Sequence, residues 1–145
     1  MKKLAFFIAA ASLCFVLTVG CKTAPKSAEE AFKNIYERYY ADLILDGAET
    51  YTVQSGDTLA HIARSSEYNS GFYYPIIMLA SKDVVLDPDK IEVGMELIIP
   101  DLQKNLDNPR SRASIKKFLG EVAKIEDDRE RAETANGLRN LAASI

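Results

Sequence analysis

The spacing of apolar residues changes several times along this chain, and each change marks a different kind of segment. Residues 4–19 are almost continuously apolar. After residue 26 the apolar positions move to helical spacing, at Ala28, Ala31, Phe32, Ile35, Tyr36, Tyr39, Leu43 and Ile44. Ser27 stands three residues before Glu30, the spacing of a capping box, in which the hydroxyl accepts from the third helical N–H and the carboxylate reaches back. With Gly47 as a stop signal, the stripe predicts a helix of about 18 residues within 27–47. Its tyrosines read as core, since rings at helical spacing form a buried stripe more often than a sugar-stacking surface.

From residue 51 the pattern becomes short and punctuated. Tyr51-Thr52-Val53 is strand-forming and runs into the turn Gln54-Ser55-Gly56-Asp57. Asp57 or Thr58 is placed to cap a helix whose apolar face is Leu59, Ile62 and Ala63. A polar loop over residues 67–71 follows, and Pro75 suits the first turn of a second helix carrying Ile76, Ile77, Leu79 and Ala80. Asp87-Pro88-Asp89 and Val93-Gly94 are turns on either side of Ile91. Residues 96–99 form a closing strand, ended by Pro100. The two strands are expected to pair antiparallel, with both helices on one face.

Helical spacing then returns. Asp107-Asn108-Pro109 is a start signal, with Asn108 as cap and Pro109 at the first helical position. Ile115, Phe118, Leu119, Val122 and Ile125 continue the stripe. Residues 126–133 are rich in charge and read as a solvated face. Asn136-Gly137 is expected to interrupt the helix, leaving a last short one around Leu138, Leu141 and Ala142. There is no internal repeat, so the chain holds one such module rather than an array.

The start Tyr51-Thr52-Val53-Gln54-Ser55-Gly56-Asp57-Thr58-Leu59 and the end Asp87-Pro88-Asp89-Lys90-Ile91-Glu92-Val93-Gly94-Met95-Glu96-Leu97-Ile98-Ile99-Pro100 together resemble the LysM module. The resemblance implies an α+β fold: a single LysM βααβ module over residues 51–100 with flanking N-terminal and C-terminal α-helices. It also implies a shallow groove that binds N-acetylglucosamine polymers, between the loop after the first strand and the loop before the second. Carried over by position, the carbohydrate-binding residues are Gly56, Asp57, Thr58 and Leu59 in the first loop. Those of the second are Asp87, Pro88, Asp89, Lys90 and Ile91. Backbone groups in such turns can meet the N–H and C=O of an acetamido group, and an apolar pair such as Leu59 with Ile91 can take its methyl. The chain departs from the family in two places: Ala80-Ser81 stands where many members have Ala-Asn, and Phe72-Tyr73-Tyr74-Pro75 replaces a single aromatic residue.

Charge and cysteine content add a location. Lys2 and Lys3 before the apolar run make residues 1–20 resemble an export signal, and Val19-Gly20-Cys21 resembles the processing site of a bacterial lipoprotein. Thr18 stands where the usual motif has Leu. Cys14 would leave with the signal, so Cys21 would be the only thiol of the mature chain, and acylation accounts for an unpaired one. Residues 21–26 read as a tether, and Lys22 after the cysteine, in place of Asp, resembles lipoproteins sorted to an outer membrane. The expected partners are therefore peptidoglycan glycan strands and, through the lipid on Cys21, a membrane, on the periplasmic side of the outer membrane. The whole chain has 18 basic and 21 acidic residues, net −3; losing Lys2 and Lys3 makes the mature balance −5. An acidic chain without a basic cluster argues against nucleic acid.

The same residues argue against catalysis. His61 is the single histidine, on the expected polar side of its helix, with no nucleophile marked beside it. Asp57 and Asp89 are a pair of carboxylates, but a shallow groove would not desolvate an acid enough to raise its pKa. Both are also favoured turn-formers. No metal set, phosphate loop or cofactor is indicated. The chain reads as a non-enzyme binder. The competing reading is an envelope adaptor whose N-terminal helix and C-terminal segment, residues 108–145, recruit a protein partner such as a wall hydrolase. The simpler use of those helices is to cover the open face of a module too small to bury much core alone.

Overall fold

Ser27 begins the first element as its spacing requires. In the computed structural model, which describes residues 27–145, its hydroxyl accepts from the Glu30 N–H at 3.2 Å and opens helix α1, Ala28–Tyr39. The export signal, the tether and Cys21 lie outside the described residues. α1 buries Ala31, Phe32, Ile35 and Tyr36, so Tyr36 is core rather than a sugar platform. The helix is shorter than its stripe predicts. It gives way to a 3-10 turn, Tyr40–Asp42, and Leu43 is extended. The cause is tertiary: Asn105 accepts from the Ile44 N–H at 2.8 Å and donates to the Ile44 carbonyl at 2.9 Å, taking the backbone groups a longer helix would use. Gly47, at φ +86°, serves the turn into the first strand instead of ending a helix.

Strand β1, Glu49–Thr52, pairs antiparallel with β2, Glu96–Ile99, placing Tyr51 opposite Leu97. β1 thus starts two residues before Tyr51, and Val53 extends the pairing past its end, donating to Met95 and accepting from Gly94, both at 2.9 Å. Between the strands come α2, Leu59–Ser65, and α3, Tyr74–Ala80, with Pro75 in its first turn as expected. Every residue of α3 is buried, and it packs on β2, whose Leu97 and Ile99 are also buried. Ser81, at the position of the family's Asn, fastens α3 to the sheet: its hydroxyl accepts from the Ile98 N–H at 2.8 Å. The order β1-α2-α3-β2 is the βααβ arrangement, flanked by helices on both sides.

Three helices follow the sheet. α4, Leu102–Asp107, capped by Asp101, has no counterpart in the sequence reading. α5, Pro109–Asp128, starts where Asn108-Pro109 predicts, with the Asn108 side chain accepting from the N–H groups of Arg110 and Ser111. α6, Ala132–Ser144, runs straight through Asn136-Gly137. The interruption falls earlier, at residues 129–131, where Glu130 takes φ +61°. Gly137 is needed for packing rather than for a break. A Cβ there would lie 2.1 Å from the Phe72 ring, which rests against α6.

The flanking helices share the core of the βααβ unit. Phe118 of α5 is fully buried, with ring centroids 6.3 Å from Tyr36 and 5.6 Å from Tyr39 of α1. Tyr36 reaches past them to donate to the Val85 carbonyl at 3.0 Å. Because this core is continuous, Phe118→Ala is expected to destabilise the whole protein by about 3–5 kcal/mol. Urea unfolding followed by far-ultraviolet circular dichroism and by tyrosine fluorescence should give one coincident transition, shifted equally in both signals. Two separated transitions would show that the helices fold apart from the sheet.

Candidate functional site

The first loop is held by its own side chains. Asp57 Oδ2 accepts from the Gln54 N–H and from the Tyr51 hydroxyl, both at 2.8 Å. These bonds, the backbone one foremost, hold the Asp57 carboxyl below the usual carboxylate range. Gly56 sits at φ +88°, a left-handed position for which glycine is suited. Thr58 caps α2, its hydroxyl accepting from the His61 N–H at 3.1 Å, and Leu59 points into the core. Asp57 is therefore a turn-former, with Oδ2 engaged inside the loop.

The second loop is held from outside the βααβ unit. Asp87, almost fully buried, accepts from the Asp89 N–H at 3.1 Å and from Arg129 Nη2 at 2.9 Å. Asp89 pairs with both Arg129 and Arg131. The hydrogen bond from Arg131, and after it the charges of both arginines, hold the Asp89 carboxyl below its ordinary value against the opposing effect of burial. Lys90 turns the other way, to Glu29 of α1 at 2.6 Å. Ile91 packs half-buried against the core.

Between the two loops lies an open cleft of about 390 Å³, within the usual range for a small-molecule site of about 300–1,000 Å³. Of the nine positions expected from the sequence, it brings together Thr58 and Leu59 with Pro88 and Asp89. Gly56, Asp57, Asp87, Lys90 and Ile91 do not line it; they shape and fasten the loops around it. The rest of the lining was not anticipated. Arg64 and Ala60 come from α2, residues 69–72 and Tyr74 from the segment before and into α3, and Glu126, Arg131 and Thr134 from the corner between α5 and α6. Residues 126–133 are solvated only in part: 127, 128, 130, 132 and 133 are exposed as expected, but Glu126 is 1% exposed and Arg129 is largely buried. Alternating signs in a charge run look the same in sequence whether they meet water or one another. His61 is exposed, and among the described residues no group of His, Cys, Asp and Glu could hold a metal ion.

The Asp89 pairing has a pH signature. A carboxyl whose folded pKa is depressed stabilises the fold above its ordinary value, about 3.9, and loses that stabilisation as pH falls through the lower folded value. The urea midpoint should therefore fall as pH drops below about 4, and Asp89→Asn should flatten that fall. An equal slope in both proteins would show that the Asp89 pairs do not contribute.

A family model described as LysM domain matches residues 51–100, from the middle of β1 to the proline after β2, both loops included. Neither the curated proteins nor the solved structures contain a match to the chain. The matched segment coincides with the β1-α2-α3-β2 order and with the two loops that flank the cleft. Over residues 51–100 the chain therefore matches the LysM domain in sequence and in the β1-α2-α3-β2 order, and this segment is set between helices of the same chain.

Proposed function

We propose that this protein is a lipid-anchored lipoprotein of the bacterial envelope that holds peptidoglycan by its N-acetylglucosamine units, in the groove between residues 56–59 and 87–91. The observation that carries this reading is the cleft itself, flanked by residues of both LysM loops, Thr58 and Leu59 on one side and Pro88 and Asp89 on the other. An acetamido group brings a donor, an acceptor and a methyl, and the cleft offers polar groups beside the exposed ring of Phe72. Binding per module would be weak, about −4 to −8 kcal/mol, or millimolar to micromolar. Anchoring near the wall compensates by raising the effective concentration of glycan.

The anchor is argued from sequence. Residues 1–20 are the export signal, Cys21 the acylated residue, and 21–26 the tether; several acyl chains, each contributing about 0.8 kcal/mol per buried CH₂, make attachment effectively permanent. Among the described residues no helix is long and apolar enough to cross a membrane. The periplasmic side of the outer membrane follows from Lys22 after the cysteine. Recruitment of an envelope protein by the flanking helices is the second reading. It has less support, because the apolar faces of α1, α5 and α6 pack into the common core.

Two measurements test the proposal. Incorporation of a palmitate analogue in cells should depend on Cys21, and labelling that survives Cys21→Ser would rule out the lipoprotein. Titration with N-acetylglucosamine oligomers, followed by NMR, should shift amide signals within 56–59 and 87–91, and the protein should sediment with purified sacculi. A folded protein that neither shifts nor sediments, yet recovers an envelope protein through residues 101–145, would favour the adaptor.

A further inference from the structure

The cleft has a wall that the LysM domain does not supply. Glu126, near the end of α5, lines it although the residue is only 1% exposed. Its Oε1 accepts from the Tyr74 hydroxyl at 3.1 Å. Its Oε2 has no hydrogen-bond partner. The nearest cation, Arg131 Nη1, stands 3.6 Å away, too far for a good hydrogen bond, on a side chain that is partly exposed at the rim. On the other oxygen, Arg129 Nη1 stands 3.8 Å from Oε1, so the carboxylate lies between two arginines while its Oε2 accepts no hydrogen bond, and a buried carboxylate oxygen in that state is costly. Thr134 of α6 lines the same cleft, as does Phe72, which is 38% exposed and rests on Gly137.

We propose that the α5–α6 corner is part of the sugar site, with Glu126 Oε2 accepting a hydrogen bond from the acetamido N–H or a hydroxyl of an N-acetylhexosamine seated against Thr134 and Phe72. The inference rests on the reading of the cleft as the glycan groove. It adds a recognition group from outside residues 51–100. A charged acceptor in a site shielded from water gives a stronger and more directional bond than a neutral one, so a unit lacking the matching donor is disfavoured. The corner also makes the groove deeper than two turns alone would, since α6 stands beside it.

The test is binding of chito-oligosaccharides to the full chain by calorimetry, with two variants. Glu126→Gln keeps the shape and weakens the acceptor; Thr134→Trp projects an indole into the cleft from α6 and leaves the sequence of both LysM loops unchanged. Both are expected to bind about tenfold or more weakly than the parent, with unchanged far-ultraviolet spectra. Should Glu126→Gln fail to fold, Thr134→Trp decides alone, since Thr134 is half-buried and opens onto the cleft. If the parent binds and both folded variants bind equally well, the corner is not part of the site and the loop reading stands. If only Thr134→Trp loses binding, the corner lines the site and the role given to Glu126 is wrong. No binding by the parent would overturn the glycan reading itself, and this inference with it.

Discussion

Asp87 and Asp89 stand two residues apart in one tight loop, and their like charges would push that loop open if nothing met them. Arg129 and Arg131, reaching across from the corner between α5 and α6, meet them. The rest of the groove depends on this contact. Arg129 is largely buried, so its pairs are shielded from salt far more than a surface bridge is. Burying ions is expensive, and a desolvated pair adds little net stability over an apolar one. Its effect is positional: both carboxylates of the second loop are met, Asp87 by Arg129 Nη2 and Asp89 by Arg129 and Arg131. Because the arginines sit where α5 ends and α6 begins, the site and the helical extension are mechanically one body.

A second knot does the same for the N-terminal side. Asn105 is fully buried, and its amide uses both donors and both acceptor positions: it bonds the Ile44 N–H and carbonyl, the Asp101 carbonyl and the Ser111 hydroxyl. One side chain thereby joins the chain leaving α1, the cap of α4 and the first turn of α5. A fully satisfied buried amide is specific in a way an apolar contact is not, since any slip leaves a polar group stranded. This is why α1 stops where it does despite an apolar stripe that continues to Ile44.

These two knots mark the boundary of what could be read from residue order. Features decided within a few residues were legible: the Ser27 and Asn108 caps, Pro75 and Pro109 in first turns, the closing strand, and the turn made by Gly56 and Asp57. Each depends on local geometry, which the sequence carries directly. Features decided by partners far along the chain were not. The end of α1 depends on Asn105, the role of Gly137 on Phe72, and the burial of Glu126 and Arg129 on Asp87, Asp89 and Tyr74. The site divides the same way. Its two loops were visible as motifs, whereas its third wall consists of charged residues with an ordinary surface composition, and no periodicity distinguishes a carboxylate facing water from one facing a tyrosine.

The electrostatics of the cleft follow from that third wall. The chain as a whole is acidic, and two carboxylates occupy the second loop. A groove with those charges unmet would repel any polymer carrying carboxylates of its own and would hold its polar groups in bound water. With Arg129 and Arg131 paired to them, and Arg64 on the opposite lining, the cleft presents matched charge rather than net negative charge. Asp57 Oδ2 is likewise engaged by Tyr51 and the Gln54 N–H, which fastens the first loop. Both loops are then held by bonds within the protein, which lowers the cost of ordering them on a ligand. For a shallow site with few contacts that preorganisation matters more than contact area, because the cost of ordering a loop would consume most of a weak binding energy.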